Sequence, residues 1–136
     1  MTMKIFKVTL ITFLLMSMFA FGTSAQSSNN VPSALTKALK TGNSNILSSF
    51  FNNSIELAIQ DKESIYSKSQ AVQIMSKFFR EYPPTNFKVK RTGGKPSARY
   101  VIGSLQTSKK TFRVSFLLKS PKGKPFIHQL HIETCN

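Results

Sequence analysis

The sequence has a single cysteine, Cys135, the penultimate of its 136 residues. One cysteine excludes an intrachain disulfide, so the fold must be held together by packing. The twelve phenylalanines of the chain suit that demand. The position of the thiol next to the chain end indicates a free terminal group rather than a bridge between chains.

Acidic residues are scarce: five stand against nineteen lysines and arginines, giving a formal net charge of +14. The imbalance is concentrated in one half. Residues 26–82 contain six bases and four acids, whereas the residues after Tyr82 contain eleven bases and one acid, Glu133. Such a positive field favours anionic partners such as lipid headgroups, acidic glycans or nucleic acid. The alternative is a charged surface that only keeps the protein soluble.

A hydrophobic run long enough to span a bilayer is also missing. The apolar stretch 8–22 follows two lysines and has 15 residues, fewer than the roughly 20 that a membrane helix needs. The small residues 23–25 then suit a signal peptidase. We therefore predict a cleaved signal peptide at 1–25 and a single domain at 26–136. The domain is expected to be periplasmic or secreted, with no transmembrane span after cleavage.

Two short helices are predicted near the start of this domain. Asn30 can cap the first helix, and Pro32 suits its first turn. Apolar residues recur at helical spacing through 31–39, and Gly42 suits a left-handed helix end. The second helix is predicted over residues 44–51.

A strand pair and a longer helix follow. Residues 54–60 alternate as in a half-buried strand, with Glu56 opposite the apolar face, and 64–66 form a short returning strand. Ser67 and Gln70 then have the spacing of a capping box. The helix carries one apolar stripe, consisting of Ala71, Ile74, Met75, Phe78, Phe79 and Tyr82.

The remaining chain predicts an antiparallel meander of four strands, at 87–91, 99–107, 112–119 and 126–133. The turns are expected at 92–96, around 108–109 and at 120–124. Alternation places Phe126, His128, Leu130 and Ile132 on the apolar face of the last strand.

Gly103 lies in the middle of the second strand of this meander. Tyr100 and Ile102 share one face, whereas Leu105 is out of phase with them. A bulge near Gly103 would reconcile the two patterns and bend the sheet.

This order of elements is similar to the cone-shaped, cystatin-like folds of the nuclear transport factor 2-like superfamily. The stretch 31–133 also resembles an exported bacterial family known as domain of unknown function 4783. The residues that carry the resemblance are Ala34-Leu35, Gly42-Asn43, Phe50, Tyr82-Pro83-Pro84, Ile102-Gly103, Phe112 and Leu118-Lys119. The resemblance implies an α+β fold, with N-terminal helices packed on a strongly curved antiparallel sheet. It implies no activity, because this fold hosts enzymes and binding proteins alike.

Enzymes with this fold need a carboxylate or histidine base facing the cavity, with a group that holds an oxyanion. Glu56 and Glu133 are expected to face away from the interior. The pocket candidates are therefore His128, Tyr100 and Tyr66. A lone histidine among apolar residues favours a hydrogen-bonded core or rim residue over a base, so we expect no enzymatic activity.

Metal and cofactor motifs are not found in the sequence. His128 and His131 are three apart on a strand and point to opposite faces, so they cannot share an ion. Gly93 and Gly94 are not followed by a helix, which excludes a nucleotide-binding fingerprint. We expect no metal and no cofactor.

Topology nevertheless predicts one charged surface. Alternate turns of a meander fall at the same end of the sheet, and Lys109 and Lys110 fall at the other. The resulting anion-patch candidates, here called the basic tip, are Lys90, Arg91, Lys95, Arg99, Lys119, Lys122 and Lys124. Aromatic residues are not interleaved with them, so no specific nucleic-acid partner is indicated.

These observations lead to two main hypotheses. The first is an exported, non-enzymatic binding or scaffold module, whose apolar cone interior accepts a small apolar ligand. The alternative is a basic adaptor that docks on anionic envelope surfaces or glycans through the basic tip. An enzyme using His128 is a third, weaker hypothesis. A homodimer is compatible with the sequence.

Overall fold

The computed structural model of the chain describes residues 31–135. The signal peptide expected at 1–25 lies outside the described residues, as does Asn30. The predicted cap by Asn30 is wrong, because the first helix begins at Ser33 with Pro32 at its N-cap position and no side-chain cap within residues 31–135. The elements are α1 (Ser33–Thr41), α2 (Ser44–Ser48), β1 (Phe51–Ile59), β2 (Lys62–Ser67), α3 (Lys68–Glu81), β3 (Pro84–Lys95), β4 (Ala98–Thr107), β5 (Thr111–Lys119) and β6 (Phe126–Thr134). Across 31–135, no helix is both long and apolar enough to cross a bilayer.

Gly42 and Asn43 set the end of α1 and the start of α2. Gly42 closes α1 with a φ of 70°, which confirms the predicted left-handed end. The Asn43 side chain then caps α2 by accepting a hydrogen bond of 3.0 Å from the Ile46 amide. α2 is shorter than predicted, because Phe51 pairs with Ile127 of β6 and therefore begins β1.

The capping box that starts α3 is confirmed. The Ser67 amide donates to Gln70 Oε1 at 3.0 Å, and the Gln70 amide donates to Ser67 Oγ at 3.3 Å. Residues from the predicted apolar stripe are buried, and they include both Phe78 and Phe79. The stripe faces the sheet, so α3 is fixed by packing as well as by its cap.

The six strands form one sheet in the order β2-β1-β6-β5-β4-β3. The predicted four-strand meander is present as β3 to β6, with every pair antiparallel. The β1–β2 hairpin is added beside β6, and β1 runs parallel to it. This long-range parallel pair makes β2 and β3 the two edges of the sheet.

The first meander turn lies later than predicted. Gly93 and Gly94 belong to β3, where they pair with Tyr100 and Arg99, so the turn is at residues 96–97. Gly94 has a φ of 92°, and a side chain there would run into the backbone of Ala98. The glycine thus permits a close approach of two strands at the end of a hairpin.

The bend predicted at Gly103 is present, but its extra residue is Lys90 on the neighbouring strand β3. β4 itself continues without a bulge, so Gly103 and Leu105 face the core and Tyr100 faces outwards. A Cβ atom at Gly103 would lie 2.7 Å from Cε1 of Phe87. The Phe87 ring occupies the space that a side chain at residue 103 would need.

The alternation predicted for the last strand is wrong at its start. His128 is an extra residue between the Leu118–Ile127 and Leu117–Gln129 pairs, and this bulge reverses the phase of the strand. Phe126 and His128 are therefore only half-buried. The buried residues of β6 are Ile127, Leu130 and Ile132.

The space between the helices and the concave face of the sheet is filled by apolar side chains. The most bulky of them are the buried phenylalanines Phe51, Phe78, Phe79, Phe112 and Phe116. No polar or charged residue of the described chain is fully buried. Side chains of the protein therefore occupy the interior in which a small ligand was expected.

Candidate functional site

The two basic turns of the meander lie against each other. The Ser120 amide donates a hydrogen bond of 2.9 Å to the Ser97 carbonyl, which joins the β3–β4 turn to the β5–β6 loop. Lys95 pairs with Ala98, and Ala98 pairs with Lys119 on the next strand. The strand pairing thus places basic residues from both turns at one end of the sheet.

Five of the seven residues predicted for the basic tip lie at or next to these turns, namely Lys95, Arg99, Lys119, Lys122 and Lys124. Lys90 and Arg91 lie farther along β3, where Lys90 is the extra residue of the bulge and Arg91 pairs with Ile102. At about 3.3 Å per residue, Arg91 stands about 13 Å from Lys95 along the strand. The basic tip is thus a compact group of five with two outlying cations.

The charges of the basic tip are not neutralised by carboxylates. Within residues 31–135, no lysine or arginine has a carboxylate oxygen within 4.0 Å, and the ion pair present joins His131 to Glu56. Lys95, Lys119 and Lys122 are exposed to solvent. Their positive charges therefore add into one local field at the end of the sheet.

Arg99 differs from the other cations of the basic tip. It is half-buried, and its Nε atom is buried without a hydrogen-bond partner among the described residues. A guanidinium offers five N–H donors in a planar fork that matches the oxygens of carboxylate or phosphate groups. Arg99 thus adds an unsatisfied donor to a surface of point charges.

The opposite end of the meander holds its cations differently. The Nζ atoms of Lys109 and Lys110 lie 5.6 and 5.3 Å from the centre of the Tyr82 ring. Lys110 is also 5.7 Å from the centre of the Phe112 ring. These two lysines are packed on aromatic faces, an arrangement that contributes to stability through the ring quadrupole.

His128, the first pocket candidate, lies on the β6 bulge rather than in the core. Burial lowers the pKa of its imidazole, and the charge of Lys119 lowers it further. Across the described chain, no carboxylate oxygen lies within 4.0 Å of His128. The group is therefore a neutral imidazole at pH 7 without the acidic partner that orients a general base.

The other two pocket candidates lie on different parts of the sheet. Tyr100 is 55% exposed and points away from the core. Tyr66 is half-buried and lines a cleft of about 480 Å³ between the β1–β2 hairpin and α3. Its apolar lining comes from Leu57, Ile59, Ile74, Phe78 and Tyr82. Neither His128 nor Tyr100 contributes to this cleft.

A group that was not predicted from the sequence lies on the convex face, the side of the sheet away from the helices. Glu56 of β1, Glu63 of β2 and His131 of β6 place one donor atom each within 4.8 Å of one another. The sequence predicted that Glu56 faces outwards and that His131 lies opposite His128. The pairing of β1 with β6, which brings these residues together, has no local sequence signal.

The two carboxyl groups of this cluster lie close enough to shift each other's pKa. Hydrogen bonding to Glu56 raises the pKa of Glu63, and the negative charge of Glu56 raises it further. Hydrogen bonding to Glu63 lowers the pKa of Glu56 and outweighs the effect of burial, while His131 lowers it further. The two acids therefore oppose each other's ionisation.

Comparison with known proteins gives a family match over most of the chain. The family described as "Domain of unknown function (DUF4783)" matches residues 32–133. The crystal structure of a DUF4783 family protein from Bacteroides uniformis is 32% identical, with a TM-score of 0.74. The match covers 79% of this chain and 99% of that one. A second such protein, from Bacteroides ovatus, is 30% identical over 78% of this chain and 96% of that one, with a TM-score of 0.74.

More distant structures share the fold alone. An NTF2-like protein of unknown function from Cytophaga hutchinsonii is 17% identical, with a TM-score of 0.53. That match covers 75% of this chain and 84% of the other. Among curated proteins, none matches the chain. The fold is thus NTF2-like, and likeness at this level carries no reaction with it.

Proposed function

The chain belongs to the DUF4783 family, whose description assigns no reaction, and we propose that it is an exported, non-enzymatic binding module that binds through its basic tip. Its partner is an anionic envelope surface, formed by lipid headgroups or acidic glycans. One observation carries the proposal: the hydrogen bond between Ser120 and Ser97 joins two basic turns into one surface.

The physical basis is the summed field of neighbouring cations. An exposed lysine alone contributes little, because charges are screened within about 8 Å at physiological ionic strength. Several cations at one end of the sheet act on a multivalent anion together. The lack of carboxylates near them within residues 31–135 keeps this field intact.

The placement of Glu56, Glu133 and His128 supports a role without catalysis inside the cone. Glu56 and Glu133 lie on the convex face, where they cannot reach a substrate bound inside the cone. His128 stands on a bulge with no carboxylate within 4.0 Å in the described chain. Proton transfer at a bound substrate needs such a base in hydrogen-bond reach.

Export is tested by N-terminal sequencing of the protein from the producing cell. The composition of residues 1–25 predicts a mature protein that begins at Gln26 and is released beyond the inner membrane. Retention of Met1 in the membrane fraction would contradict export and would remove the envelope as the partner.

Binding is tested by sedimentation of the purified protein with vesicles. Vesicles containing phosphatidylglycerol should carry the protein down at low salt, and purely zwitterionic vesicles should not. Binding should weaken as salt is added, because the attraction is electrostatic. A heparin column in parallel distinguishes a glycan from a lipid source. No binding to either probe at low salt would overturn the proposal.

The cleft beside Tyr66 favours a second candidate function, the capture of a small apolar ligand. Its apolar side chains and volume of about 480 Å³ suit a small molecule, which would also meet the polar residues of the lining, Gln60, Asp61, Lys62, Lys77 and Glu81. The neutral dye N-phenyl-1-naphthylamine should gain fluorescence with the parent protein, and Ile74→Arg should remove that gain. Equal fluorescence with the parent and with Ile74→Arg would place the dye elsewhere.

A further inference from the structure

Three side chains from three adjacent strands close over Ala58 on the convex face. Ala58 pairs with Glu63 on β2 and with His131 on β6, and Glu56 lies two residues before it on the same face. Because Ala58 carries only a methyl group, the three longer side chains can bend over it. The alanine is only 8% exposed, although it lies on the solvent side of the sheet.

The imidazole of His131 is held against Glu56 without a hydrogen bond. Its Nε2 atom lies 3.3 Å from Glu56 Oε1. The same nitrogen is buried, and the approach lies outside hydrogen-bond geometry, so it has no partner among the described residues. An imidazole nitrogen that stands beside a carboxylate without an aligned hydrogen bond can serve as a metal ligand when the ring is neutral.

One of the distances in this cluster equals that expected between two ligands of one ion, and all three donor atoms lie within 4.8 Å of one another. Two atoms that each bind a tetrahedral zinc ion at about 2.0–2.1 Å lie about 3.3–3.4 Å apart. The nitrogen–oxygen distance of 3.3 Å agrees with this value. A cation would also remove the repulsion between the two carboxyl groups.

We propose that Glu56, Glu63 and His131 form a binding site for a divalent transition-metal ion of the zinc class. Two carboxylates and one imidazole provide three protein ligands, and water completes the coordination. An imidazole ligand favours zinc over magnesium or calcium, which prefer shells made of oxygen atoms only.

The strands from which the three ligands come determine how metal binding affects the fold. They come from β2, β1 and β6, so the ion ties an edge strand to the centre of the sheet. β2 contributes little to the core, since Tyr66 alone among its six residues is not exposed. Zinc should therefore protect this hairpin from opening and raise the stability of the protein by mass action.

The site is tested by isothermal titration of the purified protein with zinc chloride. Cys135→Ser serves as the background in all variants, because the exposed thiol is itself a zinc ligand. The sequence before residue 31 contains no histidine, cysteine, aspartate or glutamate. We expect one zinc ion per chain, and millimolar magnesium should not displace it.

Matched variants locate the ion. His131→Ala and Glu63→Gln should each weaken zinc binding at least about tenfold. His128→Ala and Glu133→Gln remove the same residue types from the same C-terminal strand and should leave the affinity unchanged. Glu63 is exposed on an edge strand, so its substitution does not disturb the core. Absence of saturable binding, or equal affinities in all four variants, would overturn the proposal.

Hydrogen exchange provides a second readout that depends on the geometry. Zinc should slow amide exchange in β2 of the Cys135→Ser protein and should not do so in Glu63→Gln. Protection spread evenly over the sheet, or equal in both proteins, would contradict a site that connects β2 to β1 and β6.

Discussion

The two ends of the meander carry lysines in opposite roles. At one end, Lys109 and Lys110 lie over the Tyr82 ring, and that ring packs on Phe112 with centroids 4.9 Å apart. All four of Lys95, Lys122, Lys109 and Lys110 are exposed, but within residues 31–135 neither Lys95 nor Lys122 lies over an aromatic ring. In the basic tip, Lys124 lies 5.5 Å from the centre of the half-buried Phe126 ring. Lys109 and Lys110 therefore pack on rings that belong to or border the core, whereas Lys95 and Lys122 present their charges to solvent alone.

This difference shows why a count of charges is a weak guide to function. A lysine on an aromatic face is attracted by the ring, and its substitution affects folding. A lysine in an exposed turn contributes little to folding, and its substitution affects mainly what the surface attracts. The two ends should consequently respond to matched substitutions in different measurements.

The largest effect is expected from Phe112→Ala, since Phe112 is fully buried and its ring lies 5.1 Å from that of Phe78. Removing a buried aromatic ring costs about 3–5 kcal/mol of unfolding free energy. Phe126→Ala at the other end is the control, because that ring is only half-buried under Lys124. Urea unfolding measures both variants. Equal losses would mean that the two ends do not differ in packing.

A smaller loss should follow Gly103→Ala, which tests the bend between the two ends. The new methyl group would lie 2.7 Å from Phe87 Cε1 and 2.8 Å from the Lys88 carbonyl oxygen. Overpacking of this kind costs about 1–3 kcal/mol. Gly93→Ala is the matched control, because nothing lies within 4 Å of a Cβ atom there. A thermal shift as small as that of the control would contradict this explanation of the bend.

Removing a lysine from the ring-packed end should have a modest effect. Lys110 lies over two rings, so Lys110→Ala should reduce the unfolding free energy by about 0.5–1 kcal/mol. Lys122→Ala should leave stability unchanged, because Lys122 is exposed in a loop. Urea titrations of both proteins side by side would detect the difference. A greater loss in Lys122→Ala would reverse the roles assigned to the two ends.

The smallest effect concerns His128, which lies near the basic tip. Burial and the charge of Lys119 lower the pKa of this histidine in the folded protein. The folded state therefore disfavours the protonated form, so stability is present above the unfolded pKa of about 6.5 and declines as the pH falls below it.

An NMR titration of the His128 imidazole checks the direction of this pKa shift. Lys119→Gln should move the midpoint part of the way back towards 6.5, because burial remains the larger cause. His128→Gln should flatten the dependence of stability on pH in this range. A midpoint above 6.5 in the parent protein would contradict the direction of the shift.

Local patterns in the sequence predicted much of the fold. The capping box at Ser67, the left-handed end at Gly42 and the four-strand meander are all confirmed. Each depends on residues close in the chain or on short connections between neighbouring strands. The adjacency of the two basic turns follows from the same topology, which is why the basic tip could be predicted.

Features that depend on distant pairing were not predicted. The bulge at His128 appears only when β6 is set against β5, and it moved Phe126 away from the core. The cluster around Ala58 requires β1 and β6 to lie side by side, although they are about 70 residues apart in the chain. Alternation defines the face of a side chain and leaves open which strand lies beside it.

Vesicle binding by two charge-matched double variants tests the central claim most directly. Lys95→Gln with Lys122→Gln changes the basic tip, and Lys109→Gln with Lys110→Gln changes the opposite end. Both remove two positive charges, so bulk charge is equal. We expect the first pair to weaken binding to phosphatidylglycerol vesicles much more than the second, while only the second lowers thermal stability. Equal loss of binding in both folded proteins would mean that net charge alone attracts the surface, and the basic tip would have no specific role.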